Sequence, residues 1–292
     1  MPLGERAFTH MLARFFAPRR SVRVSIGDDA ALVRNARAES LLCCDPVIEG
    51  VHFEPGTDLL LVGRKVVNRN LADIAAMGGV PDWLLVSLVL PKHLPAKQRM
   101  RLLRGIRAAA RAGGAEVVGG DVAVTRGPLV VTVTAVGHCE GKVLRRSGAR
   151  PGDAIHVSAP LGGSRAQHHL RFVPPLAEGR WLARPAVPVT AAMDISDGLL
   201  LDLQTLLTAS GGLGAEIDAA SVPLSRAART LAQGNTERAL QHALRDGEDH
   251  CLLFTVARGR SLPSGGPLSA VARRAIGRVV RRPGLWLVHA DG

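Results

Sequence analysis

The stretch NLADIAAMGGVPDWLLVSLVLP, residues 70–91, indicates the fold class because its hydrophobic periodicity changes at a pair of glycines. Before that pair, apolar side chains repeat on one face of a predicted helix that begins near Gly63 and is stopped by Gly78 and Gly79. After the pair, WLLVSLVL (83–90) is a continuous apolar run, which is typical of a buried strand. The succession of helix and strand indicates a chain of the α/β or α+β class.

The same alternation continues on both sides of this stretch. A second amphipathic helix is predicted over residues 96–112, where two glycines again follow the last apolar position. The flanking apolar runs predict strands: LLCCDPVI (41–48), AEVVGGD (115–121) and PLVVTVTAVGH (128–138). Together these elements make up one domain.

A segment rich in Gly, Arg and Pro, GKVLRRSGARPGD (141–153), predicts the boundary between two domains, 1–142 and 143–292. Beyond it we predict a strand over AIHVS (154–158), a loop-like stretch over residues 160–188, and a leucine-rich helix that is ended by a glycine pair. The second domain is therefore also predicted to mix helices and strands.

Composition limits the class of protein. The chain has 292 residues, of which 47% are hydrophobic, 21% charged and 3% aromatic, as expected of a globular protein with two domains. Its formal net charge of +12 comes almost entirely from Arg, and no nucleic-acid-binding motif accompanies it, so we interpret the excess as a solvated basic face. The cysteines lack zinc-site spacing and no apolar run is long enough to span a membrane, so a cytoplasmic protein is expected.

Acidic residues recur beside Gly at predicted strand ends and helix starts. Such corners occur around Asp29, Asp45, Asp73, Asp121 and the pair Asp194 and Asp197. A single one is readily explained as a turn residue or helix cap. Several together favour a site for Mg²⁺ and phosphate, because Mg²⁺ takes carboxylate and phosphate oxygens as ligands. There is no Walker A motif, so a nucleotide would be bound by metal ions, Gly amides and Arg.

Seven segments, in this order along the chain, resemble the thiamine-monophosphate kinase family, within the superfamily that includes aminoimidazole ribonucleotide synthetase. They are IGDDAALV (26–33), DPVIEGVHF (45–53), NLADIAAMGGVPDWLLVSLVLP (70–91), GGDVAVTRGPLVVTVTAVG (119–137), RSGARPGDAIHVSAPLG (146–162), MDISDGLLLDL (193–203) and GEDHCLLFTV (247–256). The resemblance implies ATP-dependent phosphorylation of thiamine monophosphate to thiamine diphosphate. It also implies an N-terminal domain of sheet and helices that forms a homodimer, and a C-terminal α/β domain.

The resemblance implies roles for particular residues. Several Mg²⁺ ions would be bound by Asp29, Asp45, Asp73, Asp121, Asp194 and Asp197. ATP, the co-substrate, would be contacted by Gly120, Asp121, Arg146 and Ser196. Thiamine monophosphate would be contacted by His52 and Glu248. No general base is assigned, because the acceptor phosphate is itself a competent nucleophile and phosphoryl transfer depends mainly on in-line positioning and charge neutralisation.

The chain departs from the family pattern at several positions. Cys43 and Cys44 replace a Ser or Thr pair before Asp45, and His250 and Cys251 stand where Tyr and an acidic residue are common. Two alternatives therefore remain open. One is a related ATP-using paralogue with a different phosphate acceptor, and the other is a non-catalytic member that keeps the fold.

Overall fold

The computed structural model describes residues 22–24, 31–34 and 39–289. Two compact units can be distinguished. The first contains the described residues up to Ile74 together with residues 79–140, and the second contains residues 75–78 and the described residues from 141 onward. Each unit has a six-stranded mixed sheet. The predicted mixture of helices and strands is confirmed.

The first unit consists of a sheet with the strand order β1-β2-β3-β6-β4-β5 and two long helices. Its elements are β1 (Val22–Val24), β2 (Ala31–Arg34), β3 (Glu39–Ile48), α1 (Leu59–Ala76), β4 (Val80–Pro91), α2 (Ala96–Gly113), β5 (Glu116–Thr125) and β6 (Val130–His138). Among the described strands of this sheet, β4 and β5 are the one parallel pair. The predicted helices and strands of this unit are present, and α1 begins four residues earlier than its predicted start near Gly63.

Two glycines allow α1 and α2 to approach closely. A Cβ atom on Gly63 would lie 2.3 Å from the carbonyl oxygen of Leu102, and one on Gly105 would lie 2.1 Å from that of Leu60. Any larger side chain at either position would force the helix backbones apart. The pair of helices therefore packs at glycine positions.

The interpretation of residues 83–90 as a buried strand holds for only one face of β4. One row of its side chains, Leu84, Val86 and Leu88, is buried, whereas Trp83 is 53% exposed and Leu85 is 45% exposed. The strand is apolar on both faces, but within the described part of this unit only one face is covered. A continuous apolar run does not distinguish these two cases.

The second unit has the strand order β12-β9-β11-β7-β10-β8. Its elements are β7 (Ala154–Val157), α3 (Leu176–Leu182), β8 (Val189–Asp194), α4 (Leu199–Ala209), β9 (Gly214–Asp218), α5 (Arg226–Leu231), α6 (Thr236–Arg245), β10 (Leu252–Val256), α7 (Ala270–Arg273), β11 (Gly277–Val280) and β12 (Gly284–Val288). The leucine-rich helix α4 buries the side chains of Leu199, Leu203, Leu206 and Leu207.

The stretch 160–188, predicted to be loop-like, contains helix α3 and two short 3₁₀ turns. Trp181 and Leu182 of α3 are buried in one apolar cluster with Phe254 of β10. This packing stabilises a helix of only seven residues. A helix of that length is not stable as an isolated peptide in water.

The arginines near the end of the chain bind groups of their own unit. Arg273 donates to the carbonyl oxygen of Pro263 at 2.7 Å, and Arg278 donates to Glu216 at 2.8 Å. The guanidinium of Arg282 lies 3.5 Å from the ring centre of Trp286. Among the described residues, no helix is long and apolar enough to cross a bilayer.

Candidate active site

Asp45 lies in the second half of β3 and is bound to α1 by hydrogen bonds and an ion pair. The side chain of Asn70 accepts a hydrogen bond from the Asp45 backbone N–H at 2.9 Å and donates to the Asp45 carbonyl at 3.3 Å. Arg69 Nε lies 3.3 Å from Asp45 Oδ2. Two consecutive residues of α1 thus fix both the backbone and the carboxylate of Asp45, which remains half-buried.

The thiol of Cys43 lies beside two of the predicted metal-binding carboxylates. Burial raises the pKa of this thiol well above its usual value, and the negative charges of Asp73 and Asp45 raise it further. Cys43 is therefore a neutral thiol at physiological pH and supplies no thiolate ligand. The charges of Asp45 and Asp73 both act on this thiol; that the two carboxylates share a metal site stays a prediction.

Cys44 occupies a different environment from Cys43. Side chains alternate along a strand, so the two neighbours point to opposite faces of the sheet. Cys44 is exposed, and its sulfur lies 3.2 Å from the hydroxyl of Thr134 on β6. The Cys replacement before Asp45 therefore places one thiol next to the carboxylates and the other on the uncovered side of the sheet.

Gly120 and Asp121 lie on the edge strand β5. Gly120 has φ +150°, and a Cβ atom there would lie 1.8 Å from the carbonyl oxygen of Val86, so this position requires glycine. Asp121 is exposed and pairs with Ser87, whereas Asp45 is in the row of Val86. Neighbouring rows point to opposite faces of a sheet, so the register places Asp45 and Asp121 on opposite faces and does not bring these two predicted ligands together. Asp29 lies outside the described residues.

His52 lies in a tight turn that connects β3 with α1. The His52 Nδ1 accepts a hydrogen bond from the backbone N–H of Ile48 at 3.1 Å, and the backbone N–H of His52 donates to the Ile48 carbonyl at 2.8 Å. Because Nδ1 is an acceptor here, the neutral ring carries its proton on Nε2. Lys65, which is fully buried, donates from Nζ to the His52 carbonyl at 2.6 Å.

In the second unit, Asp194 lies at the end of β8 and is buried beside His250. Asp194 Oδ2 lies 3.4 Å from His250 Nδ1, and the ring of Phe172 stacks on the imidazole with ring centres 4.4 Å apart. His250 thus supplies both an aromatic ring that stacks on Phe172 and a hydrogen-bonding partner for Asp194.

Ser196 and Asp197 form the turn between β8 and α4. Their backbone N–H groups both donate to Asp202 Oδ2, each at 2.9 Å. The Ser196 carbonyl accepts a hydrogen bond from the Glu248 N–H at 2.8 Å. Gly198, at φ +100°, completes the turn into α4. The Asp197 side chain is exposed, so it is accessible to a ligand.

Glu248 and Asp249 lie in a turn with unusual backbone geometry. Glu248 has φ +49° and His250 has φ +48°, both rare for residues other than glycine and often found at functional sites. Glu248 Oε2 lies 3.4 Å from His169 Nδ1. Burial raises the pKa of Asp249 to about 7, opposed by hydrogen bonds from the N–H groups of Gly163 and Gly162.

Arg146 is half-buried at the start of a turn that Ser210 stabilises. The Ser210 hydroxyl donates to the Arg146 carbonyl at 3.2 Å and accepts from the N–H groups of Gly148 and Ala149 at 3.2 and 3.1 Å. The backbone of this predicted ATP-binding residue is thereby fixed.

Across residues 22–24, 31–34 and 39–289, no group of three or more His, Cys, Asp or Glu side chains has the arrangement of a metal site. What the structure brings together is Asp45 with Asp73 in the first unit, and the turns that carry Asp194, Ser196, Asp197 and Glu248 in the second. Each set consists of oxygen donors, which suits Mg²⁺.

Sequence reasoning missed four residues that position this machinery, namely Lys65, Asn70, His169 and Asp202. Two of them had a detectable signal: Lys65 precedes a pair of valines in a largely apolar helix, and Asp202 is the single acidic residue in LLLDLQTLL. A charged residue within an apolar face is buried with a partner when it is buried at all.

Comparison with known proteins gives concordant results. Residues 27–139 match the family described as AIR synthase related protein, N-terminal domain. The chain is similar to the thiamine-monophosphate kinase of Rhodopirellula baltica, at 37% identity over 274 residues, which cover 91% of this chain and 86% of that protein. It is 34% identical to the Escherichia coli enzyme of the same name, over 84% of this chain and 81% of that protein.

Solved structures agree with the sequence relatives. The fold is similar to one described as AaThiL complexed with AMPPCP and TMP, with a TM-score of 0.86 and 31% identity over 98% of this chain and 95% of that one. A thiamine monophosphate kinase structure from Aquifex aeolicus gives a TM-score of 0.83 at 30% identity, covering 98% of this chain and 96% of that one.

Proposed function

The chain belongs to the thiamine-monophosphate kinase family, and we propose that it transfers the terminal phosphoryl group of ATP to thiamine monophosphate. The observation that supports this most directly is the similarity of the whole fold to a structure that contains AMPPCP and TMP. In the reaction, an oxygen of the acceptor phosphate forms a bond to the γ-phosphorus, the bond from that phosphorus to the bridging oxygen breaks, and ADP leaves. The products are thiamine diphosphate and ADP.

The chain's own residues supply orientation in this reaction. We assign contacts with ATP to Gly120, Asp121, Arg146 and Ser196. We assign contacts with thiamine monophosphate to His52 and Glu248. Hydrogen bonds fix the backbones at Arg146, Ser196 and Glu248 before any ligand binds, which reduces the entropy lost when the reactants are aligned.

Magnesium is the metal that fits the residues present. Asp45 and Asp73 offer paired carboxylates beside a neutral thiol, and Asp194 and Asp197 flank a fixed turn; we propose these four, with Asp29 and Asp121, as ligands. Bound Mg²⁺ would neutralise the phosphate charge that otherwise repels these carboxylates. Arg69 partly offsets the charge of Asp45 in the protein itself.

We propose that the uncovered face of the first sheet contacts a second copy of the chain. On this face, Trp83 of β4 is 53% exposed and Leu85 is 45% exposed, and the exposed Cys44 lies in the row of Leu85. Apolar strands of this kind are usually covered by a partner. Light scattering should give a dimer for the wild type and a monomer for Leu85→Glu, whereas Val173→Glu in the other unit should remain dimeric.

The two compact units support the predicted domains, 1–142 and 143–292, which remain part of this proposal. A cytoplasmic location also remains a prediction.

The activity can be tested with purified protein, ATP and Mg²⁺, by chromatographic detection of thiamine diphosphate. We expect product with thiamine monophosphate and none with thiamine, since the acceptor must be a phosphate. Asp121→Asn should abolish turnover, whereas Asp218→Asn, a cap in the second unit, should retain it. Turnover only with a different phosphate acceptor would overturn the proposed substrate, and absence of turnover with any acceptor would overturn the enzyme assignment.

A further inference from the structure

A buried carboxylate lies behind the turn that carries two of the predicted ligand-binding residues. Asp202 is only 2% exposed, and a single oxygen, Oδ2, accepts hydrogen bonds from the backbone N–H groups of both Ser196 and Asp197. Two converging N–H groups form the kind of concave site that elsewhere binds a phosphate oxygen. In this chain that site is occupied by the protein's own carboxylate.

This arrangement restricts how Ser196 and Asp197 can contact ligands. Because their N–H groups are used internally, neither residue donates a backbone hydrogen bond to a nucleotide. The side chains that can contact a ligand are the Ser196 hydroxyl and the exposed Asp197 carboxylate. The Ser196 peptide is also fixed on its other side, where its carbonyl accepts from the Glu248 N–H at 2.8 Å. One turn therefore connects the predicted nucleotide-binding residues with a predicted acceptor-binding residue.

We infer that Asp202 is a positioning residue for the phosphoryl-transfer site, which it serves by orienting Ser196 and Asp197 without touching the substrates. This inference rests on the proposed function, since it assigns Asp202 to the same site. Asp202 lies in the first turn of α4, where a carboxylate also stabilises the helix N-terminus by its charge. Its Oδ2 reaches beyond the helix, to residues that precede Gly198 at the N-terminus of α4, and so also fixes the turn.

Three variants test the inference. Asp202→Ala removes the acceptor, Asp202→Asn keeps one oxygen that can accept from the same N–H groups, and Asp153→Ala is a matched control. Asp153 is likewise 2% exposed and accepts from the Arg150 N–H at 2.9 Å and the Thr190 hydroxyl at 2.7 Å, in the same unit. Asp153→Ala should lower the melting temperature and leave the turn at Ser196 and Asp197 unchanged.

The measurements are the KM for ATP, the KM for thiamine monophosphate, and the Kd of a non-hydrolysable ATP analogue with Mg²⁺ by calorimetry. We expect Asp202→Ala to weaken analogue binding and raise the KM for ATP by about tenfold or more, as loss of a residue that orients ligands typically does. Asp202→Asn should recover most of this affinity. Asp153→Ala should bind the analogue as the wild type does. Hydrogen exchange should accelerate at the amides of Ser196 and Asp197 in Asp202→Ala alone.

Wild-type analogue affinity in Asp202→Ala would overturn the inference, as would an equal loss of affinity in Asp153→Ala. If Asp202→Ala does not fold, the Asp202→Asn variant decides. An Asp202→Asn protein that folds as the wild type does but binds the ATP analogue tenfold more weakly would show that the carboxylate charge itself is required. That result would contradict positioning through the shared oxygen. Failure of the proposed function is recognised separately, as wild-type protein that binds the analogue but forms no thiamine diphosphate.

Discussion

The ammonium group of Lys65 lies 2.6 Å from the backbone carbonyl oxygen of His52. Lys65 has no exposed surface, and a buried ammonium is tolerated only when its N–H groups are hydrogen-bonded. The bond joins the middle of α1 to the turn that carries His52, whose ring is itself fixed by the Ile48 N–H. Lys65 therefore orients the His52 turn from inside the first unit.

Replacing Lys65 by Met should weaken binding of thiamine monophosphate. The change leaves the His52 carbonyl without this donor, at a cost of roughly 1–3 kcal/mol in the free energy of unfolding. We expect the KM for thiamine monophosphate to rise more than the KM for ATP, measured by steady-state kinetics. Lys97→Met, on the exposed side of α2, is the control and should match the wild type. A rise in the KM for ATP alone would contradict this role.

His169 provides the second prediction. Its Nδ1 lies 3.4 Å from Glu248 Oε2, and the two side chains are 17% and 30% exposed. Because partly exposed ion pairs contribute roughly 0.2–1 kcal/mol, His169→Phe should raise the KM for thiamine monophosphate by about two- to fivefold, with little change in kcat. His93→Phe, at an exposed position of the first unit, should leave both constants unchanged. An unchanged KM in His169→Phe would show that this contact does not orient Glu248.

The elements with strong periodicity could be predicted from the sequence, and their environment could not. The apolar face of α4 and the strand pattern of β3 are evident in the residues themselves. The uncovered face of β4 is not, because Trp83 and Leu85 are as apolar as the buried Leu84. Which face is covered depends on how α1 and α2 pack, which is a tertiary property.

The resemblance predicts which residues form the site, and that assignment stays a prediction, whereas the contacts that fix those residues could not be predicted. The row occupied by Asp121 depends on an irregularity in the pairing of β4 and β5, where Leu84 pairs with Val117 and the next residue, Leu85, pairs with Gly119. A shift of one residue moves a side chain to the other face of a sheet. No local pattern encodes such a shift, or the reach of Asp202 back to Ser196.

Asp249 makes stability depend on pH. Its pKa rises to about 7 in the folded protein because of burial, so the folded state retains a proton that the unfolded chain releases near pH 4. Stability contributed by this group is present below pH 4 and is lost as the pH rises towards 7. Asp249→Asn should therefore become more stable relative to the wild type as the pH is raised from 4.5 to 7.5, measured by urea denaturation.

Asn at position 249 keeps an oxygen that can accept from the Gly162 N–H, which donates to Asp249 at 3.0 Å in the wild type. The variant therefore removes the titration with little change in hydrogen bonding. The control is Asp218→Asn, in an exposed cap, which should not gain stability as the pH rises. A constant difference between Asp249→Asn and the wild type across this range would exclude the titration.

His156 gives the stability of the fold a pH dependence of the opposite sign. Burial lowers its pKa below the usual 6.5, since its ring lies between β10 and α7, stacked on Phe254 at 5.3 Å and 3.1 Å from the Ala272 carbonyl. The carbonyl can only accept, so Nδ1 carries the proton of the neutral ring. As the pH falls through 6.5, the unfolded chain gains a proton that the folded protein resists, and stability is lost.

Replacing His156 by Gln should flatten this dependence. The variant is expected to have lower stability at pH 7.5, because the stacked ring is lost, but a smaller further loss than the wild type between pH 7.5 and 5.5. His93→Gln, at an exposed site, should keep the wild-type slope. Thermal unfolding of the three proteins at matched ionic strength is the measurement. Equal slopes in His156→Gln and the wild type would mean that His156 is protonated as readily in the fold as in the unfolded chain, contrary to its burial.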